Sequence, residues 1–166
     1  MTLRSGAFLL VVGLGLSVVA VRAEEEPKAG SLDKTFALPT EGEDVIRVKV
    51  KVGPLVINEI VLNNLPRKDE VKEAVANNSD DKCRPKIAVV FSNPTPLKVK
   101  VKVVASFEGA TGISYMSCDR KDNVNPSADE NRTDACFGLG ALTHMQLRDW
   151  PKVKNVHIVV NVTADH

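Results

Sequence analysis

The chain has 166 residues, with 22 Lys+Arg against 21 Asp+Glu, 43% apolar residues and 4% aromatics. That length suits one globular domain. The balanced charge excludes a strongly basic nucleic-acid binder, and the apolar fraction excludes a mostly disordered chain.

The first feature in chain order is an address. Residues 1–6 carry Arg4, residues 7–21 are apolar apart from Gly and Ser, and Val21-Arg22-Ala23 offers small residues at a cleavage position. A positive start, an apolar stretch of about 15 residues and a small-residue cut predict a secretory signal peptide over 1–23. The stretch is shorter than the roughly 20 apolar residues that span a bilayer. Cleavage after Ala23, or alternatively after Ala20, leaves a soluble, exported product, secreted or periplasmic, with no membrane span. Loss of Arg4 and Arg22 with no acid takes the net charge from +1 to −1 (two cations fewer). Residues 24–43 are acidic, contain proline and have no period; they read as an extended, partly disordered leader ahead of a domain over 44–166.

Strands dominate the rest of the chain. Val45–Val52 alternates valine or isoleucine with Arg47, Lys49 and Lys51, the period-two pattern of a half-buried strand. Gly53-Pro54 punctuates it, and residues 55–62 are apolar on both faces, as in a more buried strand. Residues 66–76 predict one helix, with Pro66 near the first turn and Val71 and Val75 four apart. Residues 87–91 form the next strand, closed by Asn93-Pro94 and Pro96, since proline cannot sit in a central ladder. Alternation resumes over 97–107, where Val99, Val101 and Val103 oppose Lys98, Lys100 and Lys102. A turn at 109–112, a short strand at 113–116 and a final strand over 153–163 complete the set. With one helix and no regular crossover helices, this is a mainly β chain; the expected fold is an antiparallel β-sandwich of immunoglobulin-like topology. The Cys–Trp–Cys order of true immunoglobulin domains is missing, because Trp150 follows Cys83, Cys118 and Cys136.

In an oxidising compartment the three cysteines pair incompletely. Cys118 with Cys136 is the preferred bridge because the two bracket a polar stretch, with Cys83 to Cys118 as the alternative. The odd thiol allows a disulfide-linked dimer. Neither Cys-x-x-Cys nor His-x-x-x-His occurs, which argues against zinc.

Catalytic signatures are absent from the sequence: no Gly-x-Ser-x-Gly, no His-Glu-x-x-His, no phosphate-cradling glycine loop before a helix. His144, His157 and His166 are scattered. Cys136, His144 and Asp149 lie near one another in sequence without a catalytic spacing, so a hydrolase-like enzyme is the last reading. The stretch 119–134 reads as a long polar loop. Its oxygens (Asp119, Asp122, Asn125, Asp129 and Glu130 above all) make it the one calcium candidate, although the EF-hand cadence is missing. No other cofactor is expected. Arg47, Lys49 and Lys51, and Lys98, Lys100 and Lys102, form two cationic rows with tips about 7 Å apart along each strand. If the two strands were neighbours, the six cations would form an anion-binding patch; otherwise each row is a solvated face that discourages edge-to-edge pairing. Asn77, Asn131 and Asn161 open glycosylation sequons, which matter only in a eukaryotic source. The functional expectation is an exported, non-catalytic module for protein–protein or cell-surface interaction. The alternative is a binder of anionic glycans or lipid headgroups through the lysine rows.

Overall fold

The computed structural model describes residues 29–39, 43–136 and 144–164. The expected signal peptide and its cut, with Phe137 and His166, lie outside the described residues. In chain order the elements are β1 (Gly30–Ala37), β2 (Val45–Val52), β3 (Leu55–Asn63), helix α1 (Lys68–Ala76), β4 (Lys82–Cys83), β5 (Lys86–Asn93), β6 (Val99–Gly109), β7 (Ser114–Val124), β8 (Ala128–Asp134), β9 (Met145–Gln146), a 3-10 helix (Leu147–Lys152) and β10 (Val153–Ala164). The chain is mainly β and its sheets are antiparallel. Sheet A runs β1-β10-β6-β7, sheet B runs β2-β3-β5-β8, and β4 pairs with β9 in a small ribbon.

Valine alternation builds sheet A. In β6, Val99, Val101 and Val103 are buried while Lys100 and Lys102 are exposed. Across the ladder Val101 meets Val162, Val103 meets Val160, Ala105 meets Ile158 and Phe107 meets Val156. β-branched pairs of this kind fit a pleated, half-buried surface. These side chains join Ile57, Ile60 and Leu62 of β3 and Ile87, Val89 and Phe91 of β5 in one hydrophobic cluster. Both sheets therefore share a single core. The two-sided apolar pattern of 55–62 has its reason here, because β3 is an inner strand of sheet B.

The strand order departs from the immunoglobulin arrangement, in which the first strand lies beside the second. Here the first strand pairs with the last, from Gly30 opposite Val162 to Ala37 opposite Asn155. Sheet A thus takes in residues that the sequence places in the leader, and the folded unit begins before residue 44. Leu32 and Phe36 pack against the core, but with only the exposed Ala37 beside them three apolar residues in eight are too few to announce a strand.

The stretch 119–134 is likewise not a loop. Most of it is β7, an edge of sheet A, and β8, an edge of sheet B. Edge strands meet solvent on several sides and need few apolar residues, so period two vanishes from their sequence while the ladder persists. The expected strand at 113–116 is the start of β7. β2 hides an irregularity: its register against β3 shifts between Arg47 and Val50, and Lys49 adopts a φ of 50°. Such a bulge bends an edge strand without erasing its alternation.

Specific contacts tie the structure together. The Cys118–Cys136 disulfide links β7 to the residue two past the end of β8, and hence sheet A to sheet B. Asn93, with no exposed surface, donates to the Leu97 and Asn125 carbonyls and accepts from the Thr95 N–H and hydroxyl. Gly30 abuts the β2–β3 turn so closely that a Cβ there would overlap the Gly53 backbone, with the Gly53 Cα at 2.8 Å. At one end, α1 packs on the 3-10 helix, and Arg148 reaches the Asn78 carbonyl and Asp80. Trp150 packs on the core rim edge-on to Phe107, ring centres 5.5 Å apart. Among the described residues no helix is long and apolar enough to cross a membrane.

Candidate functional site

The outer face of sheet A concentrates the polar chemistry of the chain. Strand alternation decides which residues reach it: on β6 the inward valines force Lys100 and Lys102 outward, and on β10 Val160 and Val162 do the same for Asn161 and Thr163. Register then sets two rows. Thr163, Lys100 and Asn123 lie side by side, and Asn161, Lys102 and Lys121 lie beside them. Together with Val101 and Asp122 they line an open depression of about 580 Å³. The Asp122 carboxylate accepts from the Thr133 hydroxyl and from the Asn123 N–H, so its charge is held toward β8.

Cations outnumber acids in this patch, with Lys100, Lys102 and Lys121 against Asp122 in its lining. Lys102 and Lys121 are directly opposed across the ladder. Like charges so placed destabilise a sheet, which an anion over the pair would relieve. The rows are about 7 Å apart along the strands and neighbouring strands about 5 Å apart, so the three ammonium groups fall within a Debye length of one another and reinforce each other.

The second cationic row is arranged differently. Arg47, Lys49 and Lys51 are exposed on β2, at the edge of sheet B, whereas Lys98 precedes β6 and Lys100 and Lys102 stand on it in sheet A. The two rows are not neighbours, and a six-cation patch is not formed. Arg47 faces Glu59 across the ladder and lines a depression with Glu43 and Asp44, so acids offset its charge. Lys121, Asn123, Asn161 and Thr163 complete the sheet A site instead. The sequence hid the first two inside an apparent loop, although Lys121 and Asn123 alternate with Asp122 and the buried Val124.

Further along the same face, His157 bridges two strands. Its Nε2 lies 2.7 Å from Asp33 on β1 and its Nδ1 lies 3.0 Å from Glu108 on β6, which also accepts from the Ser106 hydroxyl at 2.8 Å. The hydrogen bond with Asp33 raises the imidazole above its ordinary value of 6.5, against the opposing effect of desolvation, and Glu108 adds to the rise. Both ring nitrogens face carboxylates, so the imidazole is oriented as a cationic clamp and presents no free nitrogen to Ser106.

The remaining expected groups are dispersed. The Cys118–Cys136 bridge is formed, and it consumes the thiol that a Cys136–His144 pair would need. His144 lies near Lys82, and Asp149 holds Lys152 at 2.7 Å. Asp119 and Asp122 belong to β7, Asp129 and Glu130 to β8, and the Asn125 carbonyl accepts from Asn93. Among the described residues no three His, Cys, Asp or Glu side chains come together to hold a metal. Cys83 is a free, half-buried thiol near the Met145 carbonyl, and burial pushes its pKa up. Of the sequon asparagines, Asn77 and Asn161 are exposed, while Thr133 of the third sequon is fully buried. No protein-family model matches the chain, and no curated protein matches it either.

Proposed function

We propose that the protein is an exported, non-catalytic interaction module whose two sheets stack as a β-sandwich, and that it binds an anionic glycan of a cell surface through the outer face of sheet A. The observation that carries this reading is the depression in which Lys100, Lys102 and Lys121 stand among Asn123, Asn161 and Thr163. Ammonium groups supply attraction for sulfate or carboxylate, and the flanking amides and hydroxyl supply hydrogen bonds for sugar hydroxyls. A lipid headgroup needs the charge but not that ring of amides, which favours a glycan. The β2 row, opposed by Glu59, serves as a solvated edge that resists pairing with other sheets.

The test is retention on immobilised heparin. The wild-type mature protein binds at low salt and elutes at moderate salt, because exposed charges are screened over about 8–10 Å. Lys102→Glu with Lys121→Glu abolishes retention, while Arg47→Glu with Lys51→Glu leaves most of it. Flow-through of the wild type at low salt, or equal loss in both variants, overturns the assignment.

A further inference from the structure

The cationic depression on sheet A ends at an apolar row. On β6 the outward positions run Lys100, Lys102 and Val104, and on β10 they run Thr163, Asn161 and Val159. Val104 and Val159 are register partners and half-buried, and they point away from the core that their neighbours Val103 and Val160 join. Asp119 of β7 stands opposite Val104, and Asp33 of β1 stands opposite Val159. Both acids are exposed. Within one row, about 7 Å along the strands, the face passes from cations and amides to two methyl-bearing side chains bracketed by carboxylates.

That order of groups constrains what a bound glycan carries. A polyanion laid along the strands would bring its next charge over Asp119, which is two residues from Lys121 and within a Debye length of it. Asp33 is held by His157 at 2.7 Å, so Asp119 exerts the stronger repulsion. A sulfate is disfavoured over this row. An acetamido group suits it: uncharged, with a methyl for the valines, an N–H for the carboxylate, and a carbonyl that can accept from the Asn161 amide one row away.

We propose that the sheet A site takes a glycan of low charge density, in which a carboxylate sugar adjoins an N-acetylated amino sugar. The carboxylate lies over Lys102 and Lys121, the acetyl methyl packs on Val104 and Val159, and the acetamido N–H donates to Asp119. This rests on the glycan reading above and narrows it, since a polysulfated chain binds through the lysines alone.

Two oligosaccharides of equal charge separate the contributions. A hyaluronan hexasaccharide has three carboxylates and three N-acetyl groups, whereas trigalacturonic acid has three carboxylates and no N-acetyl group. Titrated into the mature protein in a calorimeter, the hexasaccharide is expected to bind about fivefold more tightly, as burial of one methyl group gives. Val104→Thr with Val159→Thr keeps β-branching at half-buried positions, removes most of that preference and leaves heparin retention as in the wild type. Asp119→Asn is the second variant: it tightens heparin binding by relieving repulsion and gives the hexasaccharide no comparable gain. Equal affinities in the wild type, no binding of the hexasaccharide, a preference that survives both valine substitutions, or unchanged heparin binding in Asp119→Asn overturns the proposal. If the wild type is still retained on heparin, the glycan reading stands without this refinement; if it is not, both fall.

Discussion

Asn93 and His157 show how single polar side chains hold β-strands together. All four hydrogen-bonding capacities of Asn93 are used, and the bond to Asn125 spans 32 residues. Truncation to alanine removes four hydrogen bonds at a position with no exposed surface, so Asn93→Ala is expected to lose about 2–3 kcal/mol in a denaturant titration. Asn93-Pro94 is readable as a turn, but the reach to Asn125 depends on a fold that no local pattern encodes. His157 makes a prediction in pH. Its folded pKa is raised by Asp33 and Glu108, so its contribution is complete below the ordinary value of 6.5 and is lost as pH rises through the elevated one. The melting-temperature gap between wild type and His157→Gln is therefore largest below pH 6.5 and narrows on the alkaline side; a gap that widens with pH contradicts the clamp. Asp33 is well exposed, so its share is screened by salt, whereas Glu108 is mostly buried and keeps its effect. Burial of Cys83 raises its thiol pKa, so it should react with a disulfide reagent more slowly than a free cysteine at the same pH, and sluggish oxidation favours a monomer on non-reducing gels.

Among the elements, legibility tracked burial. β2, β3, β5, β6 and β10 have apolar residues in period two or in continuous runs, and each is found close to where the pattern places it. β1, β8 and β7 beyond its first residues are edges whose polar side chains carry no clear period, and the sequence conceals them, whereas the edge strand β2 keeps its alternation. The site suffered the same fate: Lys100 and Lys102 are legible because they alternate with buried valines, but Lys121 and Asn123 lie in a strand that looks like a loop. Two substitutions probe the joints between elements. Gly30→Ala forces a methyl group onto the Gly53 backbone and is expected to cost about 1–3 kcal/mol, as overpacking does elsewhere. Reduction of the Cys118–Cys136 bridge, which spans 18 residues, is expected to lower stability by about 3 kcal/mol on the chain-entropy model. The shift should vanish in a Cys118→Ala, Cys136→Ala double variant; an equal shift there would implicate some other effect of the reductant.

At the scale of the molecule, a nearly neutral chain carries one local cluster of like charge on sheet A, although the same sheet also pairs His157 with Asp33 and Glu108. Sheet B sets Arg47 against Glu59 and Arg132 against Asp134, while sheet A sets Lys102 against Lys121. Mainly β architecture was readable from valine periodicity alone. The sheet order was not, because pairing the first strand with the last depends on long-range register, and that order decides which lysines meet. The most direct measurement is an amide chemical-shift titration of the mature protein with a heparin-derived oligosaccharide at low salt. The shifts are predicted to centre on Lys100, Lys102, Lys121, Asn123, Asn161 and Thr163. Shifts centred on Arg47, Lys49 and Lys51, or no shifts at all, would contradict the account.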